Sequence, residues 1–156
     1  MAAPDIVMYE EEFNQIKAVI SKLRIDANAK VVFLVDKNGQ QIAAQGEIEN
    51  LDTTSLASLT AGNVAATDGL ARLIGEKEFS ILFHEGERDN IHISIVAQRV
   101  ILVVIFDERS SLGLVRLRVK KASGELNDVF ARIMSKVERE RAAAGAAFES
   151  PFAEIT

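Results

Sequence analysis

Two histidines, His84 and His92, flank the turn-rich stretch "EGERDN", with Glu85 and Asp89 between them. Imidazoles and carboxylates so close in sequence could share a divalent metal, yet zinc sites use denser ligand clusters at recognised spacings. Two strand-end histidines are the plainer reading. Asp36, Asn38 and Glu47 match positions one, three and twelve of a calcium loop, but Gln41 stands where that loop needs glycine, and the strand-like "QQIAAQG" fills its second half. A tight turn explains these residues better. "DKNGQQ", "LIGEKE" and "HEGERDN" each hold one glycine, too few to cradle phosphates with backbone amides. Ser55, Ser58, Ser110 and Ser111 lack the surroundings of a nucleophile elbow. The residues assign no catalytic group, metal or cofactor, and interaction is the expected class of function. Arg116, Arg118, Lys120 and Lys121 form the densest basic cluster, for which a solvated helix face is the simplest account and contact with an acidic partner the alternative.

The elements that would position these groups follow from periodicity. Phe13, Ile16, Ile20 and Leu23 recur at helical spacing behind the acidic "YEEEF", which suits a helix amino end. "KVVFLVDKNGQQIAAQG" reads as two strands joined at Asn38-Gly39, a strong hairpin signal. "EFSILFHE", "NIHISIVAQ" and "VILVVIFDE" read as an antiparallel meander, and the unbroken apolar run Val100 to Ile105 predicts a central strand buried on both faces. From Leu112 through Val115, Val119, Ala122, Leu126, Val129, Ile133 and Val137 the spacing predicts a third helix, although "LVRLRVKK" also alternates locally like a strand. "AAAGAAFESPFAEIT" has no sustained period and is expected to be a tail. The division is an extension over 1–8, a domain over 9–141 and a flexible tail over 142–156. The class is α+β, with element order α-ββ-α-βββ-α and one five-stranded antiparallel sheet.

The second helix, "SLASLTAGNVAATDGLARLIG", is the unusual one. Asp52, Thr53 and Thr54 offer its cap and Gly75 its stop. Leu56, Leu59, Ala66, Leu70 and Leu73 share one side and are expected to cover the core. At about 100° per residue, Ser58, Gly62, Ala65, Gly69 and Arg72 form a second stripe that is small rather than polar. Each glycine costs roughly 1 kcal/mol against alanine inside a helix, so such a stripe is expected to lie against another surface.

Bulk properties narrow the classes further. With 156 residues, 48% hydrophobic and 26% charged, the chain suits a single domain with a real core. A net charge of −5 speaks against general nucleic-acid binding. The lack of cysteine fits a cytoplasmic protein. "MAAPDIVMYEEEF" reads as neither signal peptide nor membrane start, so no membrane insertion is expected.

From Val7 to Thr156 the chain resembles the Roadblock/LC7 proteins in "VMYEEEF", "DANAKVVFLVDKNGQ", "DTTSLASLTAGNVAA", "FHEG", "SLGLVRLRVKKAS" and "SPFAEI". The block Asp52 to Ala66 is the most specific of these, and "RERAAAGAAFE" departs from the pattern. The resemblance implies the Roadblock/LC7 fold and a homodimer whose third strands pair edge to edge into one continuous sheet, with the second helices side by side. It further implies a partner, a Ras-like small GTPase whose hydrolysis the dimer stimulates in the control of cell polarity and gliding motility, with concentration at a cell pole. Ser58, Gly62, Ala65, Gly69 and Arg72 would be its contacts, one GTPase binding per dimer. Arg72, Arg109 and Arg116 are the arginines that could act as a finger; the resemblance favours instead a rearrangement that aligns the GTPase's own groups. Phe148, Pro151, Phe152 and Ile155 would give the tail a second docking contact. A scaffold without effect on catalysis, or a small-ligand sensor, are the alternatives.

Overall fold

The computed structural model describes residues 8–155, with side chains through residue 145. The elements follow in the expected order: α1 (Glu10–Asp26), β1 (Val31–Asp36), β2 (Gln41–Gly46), α2 (Thr53–Leu73), β3 (Ile81–Glu85), β4 (Asn90–Val96), β5 (Val100–Phe106) and α3 (Leu112–Ile155). The helical reading of "LVRLRVKK" holds, and α3 extends past the Arg141 at which its end was expected. Phe148, Pro151, Phe152 and Ile155 lie outside the residues whose side chains are described.

The strands form one antiparallel sheet in the order β2-β1-β5-β4-β3. Its centre is β5, buried along its whole length as the apolar run predicts, with β1 equally buried beside it. The edges are β2 and β3. At the β1–β2 turn the Asp36 carboxylate accepts the backbone N–H of Asn38 and of Gln40, each at 2.9 Å, and Gly39 adopts φ +90°. Asp36 therefore serves the hairpin.

Strand alternation sends two sets of side chains to two different layers. Val32, Leu34, Leu102, Val104 and Phe106 face α1 and α3, packing with Ile16, Ile20, Val115, Leu126 and Ile133. Val31, Phe33, Val35, Ile101, Val103 and Ile105 face α2. On the first side Lys136 of α3 pairs with the buried Glu12 of α1 and holds its ammonium 5.2 Å from the centre of the Tyr9 ring. That ion pair keeps the Glu12 carboxyl below its ordinary range.

The face of α2 that meets the sheet is not the expected one. Ala57, Thr60, Ala61, Val64 and Ala71 are buried, whereas Leu59, Leu70 and Leu73 are 73%, 55% and 84% exposed. Leu56 is half-buried and Ala66 exposed. The reason is volume. The β-branched and aromatic side chains of β1 and β5 already fill the layer, so only small residues fit beneath a closely seated helix.

Two local features carry consequences for stability. Ala97 and Gln98, between β4 and β5, both adopt positive φ, 53° and 61°, as the central pair of a type I′ turn does, although neither is glycine or asparagine. Asn127 of α3 braces the turn by accepting the Ala97 N–H at 2.8 Å. Replacing Ala97→Asn together with Gln98→Gly should relieve the strain and stabilise the protein by about 1 kcal/mol or more, read by urea unfolding.

The second feature is His92, which is fully buried with no hydrogen-bond partner on either ring nitrogen. Burial, with the Arg116 charge second, lowers its pKa. Below about pH 6.5 the unfolded imidazole takes a proton that the folded one refuses. Stability should therefore be full above that pH and fall as the pH drops toward the lowered folded value. Urea midpoints measured between neutral and mildly acidic pH should show that slope, and His92→Leu should flatten it.

Candidate partner-binding face

The helix α2 is held at both ends. Asp52 caps it through Oδ1, which accepts the Ser55 N–H at 3.1 Å, and Oδ2, which accepts the Ser55 hydroxyl at 2.7 Å. Those bonds hold the Asp52 carboxyl below its ordinary range. At the other end Gly75 adopts φ +84°, and Glu76 N–H returns to the Ala71 carbonyl at 2.9 Å. Along one flank Asn63 Nδ2 lies 3.1 Å from His84 Nε2 on β3. Along the other, α2 crosses the β1–β2 turn so closely that a Cβ on Gly39 would stand 3.4 Å from Ser58 Cα.

What remains faces outward, and it is apolar. Leu59, Ala65, Ala66, Leu70 and Leu73 are exposed, as are Ser58, Gly62 and Arg72, while Gly69 is half-buried. A Cβ built on Gly62 or Gly69 would meet nothing within 4 Å, so packing inside the chain requires neither glycine. The small stripe thus faces away from the chain's own core. The leucines beside it were missed as surface. Their signal was present in Ala57, Thr60, Ala61 and Val64, whose i, i+3, i+4, i+7 spacing describes a core face of small residues. Contiguous exposed apolar residues of this kind mark interaction sites.

Other groups singled out from the sequence are dispersed. His84 pairs with Ile91 on the α2 side of the sheet, whereas His92 pairs with Val104 on the α1/α3 side, so the two imidazoles cannot meet on one ion. Arg109 is engaged by Asp107 at 3.0 Å and Glu47 at 3.4 Å, which raise its pKa. Arg116 belongs to α3, across the sheet from α2. Arg72 is on α2, its Nε donating to the Asp68 carbonyl at 3.3 Å. A groove of about 520 Å³ lies between the start of α1 and the β1–β2 turn, lined by Met8, Tyr9, Phe13, Asp36 and Ile42 among others. The Asp36 carboxylate there is already committed to the turn.

Residues 15–106 match the model of the Roadblock/LC7 domain, more than half of the chain. The chain is a Roadblock/LC7 protein. Within that family it is similar to MglB of Myxococcus xanthus, at 66% identity over 81% of this chain and 96% of that one, with a TM-score of 0.78. The gliding protein MglB of Thermus thermophilus is 30% identical over 84% of this chain and 99% of its own, also with a TM-score of 0.78. An MglB solved in a tetrameric arrangement is 29% identical, covering 85% and 99% of the two chains at the same TM-score. No curated protein sequence matches the chain. Among the described residues no helix is long and apolar enough to cross a membrane. In this Roadblock/LC7 protein Gly62→Ala and Gly69→Ala should each stabilise the isolated protein by about 1 kcal/mol in urea unfolding, since both sites are helical and open.

Proposed function

We propose that this Roadblock/LC7 protein is a homodimeric activator of a Ras-like small GTPase of the MglA type, binding it through the outer face of α2. The observation that carries the reading is the pairing of an apolar, glycine-bearing helix face that the chain's own packing does not use with 66% identity to an MglB. Ser58, Gly62, Ala65, Gly69 and Arg72 are the proposed contacts, and Leu59, Leu70 and Leu73 join them. The dimer would form by pairing the β3 edges, since an uncovered edge strand is a liability until it is paired. Placement at a cell pole, in control of polarity and motility, belongs to the same proposal.

Activation would come from selecting a conformation. The dimer binds the competent arrangement of the GTPase switches better than the resting one and shifts the population toward it, the hydrolytic groups being the partner's own. An arginine finger is the less economical account. Arg109 is held by two carboxylates and Arg116 lies across the sheet, which leaves Arg72 as the one of the three on the proposed face. The residues Phe148, Pro151, Phe152 and Ile155 would make a second contact that tunes affinity or nucleotide exchange.

The test is single-turnover hydrolysis by the GTP-loaded GTPase with this protein in excess. Gly69→Arg should abolish the acceleration while sedimentation still shows a folded dimer, and Arg72→Ala should retain most of it. A loss of about 10³-fold or more in Arg72→Ala would instead make Arg72 a finger. Binding without acceleration would make the protein a scaffold.

A further inference from the structure

The layer opposite α2 carries a second surface that the GTPase reading leaves unused. In the first turns of α3, Arg116, Arg118, Lys120 and Lys121 occur with no acidic residue before Glu125, in a chain whose net charge is −5. Among the described residues none of these four enters an ion pair. Arg116 and Lys120 place like charges at i, i+4, where a helix surface that serves only water gains from opposite ones, and Lys121 with Glu125 is the one opposite-charge pair at that spacing among these cations. The positive end of the helix dipole lies at this same end of α3 and adds to the potential.

Leu117 stands among these cations, 61% exposed, on the side of α3 opposite the buried Val115 and Leu126. Gly113 and Gly124 fall near it on the outward arc, and a Cβ on either would meet open space. Beside them the end of α1 contributes Lys22, which lines a narrow cleft with Arg118 and Lys121. Lys120, Lys121, Leu117, Gly113 and Gly124 therefore share the outward arc of α3, with Arg118 and Lys22 in the cleft on its α1 side.

We propose that this face of α3 and α1 is a docking surface for an acidic segment of another protein, one that seats an apolar residue against Leu117. Charge complementarity selects the acidic partner, and the exposed Leu117 selects a protein over a phosphate chain, which has no use for it. Asp26 and Glu125 within the patch, and the acidic remainder of the molecule, oppose an extended polyanion or an anionic bilayer. Because α2 lies across the sheet, both surfaces can be occupied together, making the protein a bridge between two partners.

The test uses the full-length protein and a fluorescein-labelled synthetic peptide of glutamate, aspartate and leucine, read by anisotropy at about 50 and 200 mM salt. Phosphatidylserine vesicles and a duplex oligonucleotide are measured in parallel. The peptide should bind, more weakly at the higher salt. Lys120→Glu combined with Lys121→Glu should weaken it at least tenfold and Leu117→Ser several-fold, with circular dichroism and GTPase stimulation unchanged. No peptide binding, binding indifferent to the charge reversal, or tighter binding to vesicles or DNA would overturn the proposal. Retained GTPase stimulation in these variants separates its failure from failure of the α2 reading.

Discussion

The close seating of α2 on the sheet is the constraint from which the surface chemistry of this protein follows. Val31, Phe33, Val35, Ile101, Val103 and Ile105 fill the space beneath the helix, so it can approach only through Ala57, Thr60, Ala61, Val64 and Ala71. At packing densities near those of organic crystals, a leucine there would force the helix away or leave voids beside it. The large aliphatics of α2 consequently point outward, where one chain alone leaves them in water. A helix so placed is only partly buried by its own domain, and its outer face stays exposed in the single chain.

The sheet divides the molecule into two unlike halves. On one side α1 and α3 lock together through Ile16, Ile20, Leu126 and Ile133 and through the pairing of Glu12 with Lys136. On the other a single helix carries the apolar outer face. Separation by a buried sheet keeps the charge on α3 from the apolar surface of α2, and it disposes of the metal reading, since adjacent strands turn His84 and His92 to opposite sides. Arg109 is fixed as part of the scaffold by Asp107 and Glu47, which raise its pKa.

Element type and order were legible in the sequence because, α2 apart, each segment's apolar period matches the surface it covers. The unbroken Val100 to Ile105 run implies burial on both faces, Asn38-Gly39 implies a turn, and Asp52 and Gly75 bound α2. These are local effects, decided by backbone sterics and by hydrogen bonds within a few residues. The Ala97-Gln98 turn was not legible, because its positive φ values are imposed by the paired strands and by Asn127 rather than preferred by the residues.

The sequence by itself therefore determined the strands, the helices, their order and the small-residue stripe at Ser58, Gly62, Ala65 and Gly69. Only the tertiary structure decided which side of α2 is inside. Periodicity offers Leu56, Leu59, Leu70 and Leu73 as the natural core face, being the bulkier apolar set, but burial depends on the volume left by the facing layer. That volume is set by strands distant in sequence, and β1 and β5 had already filled it.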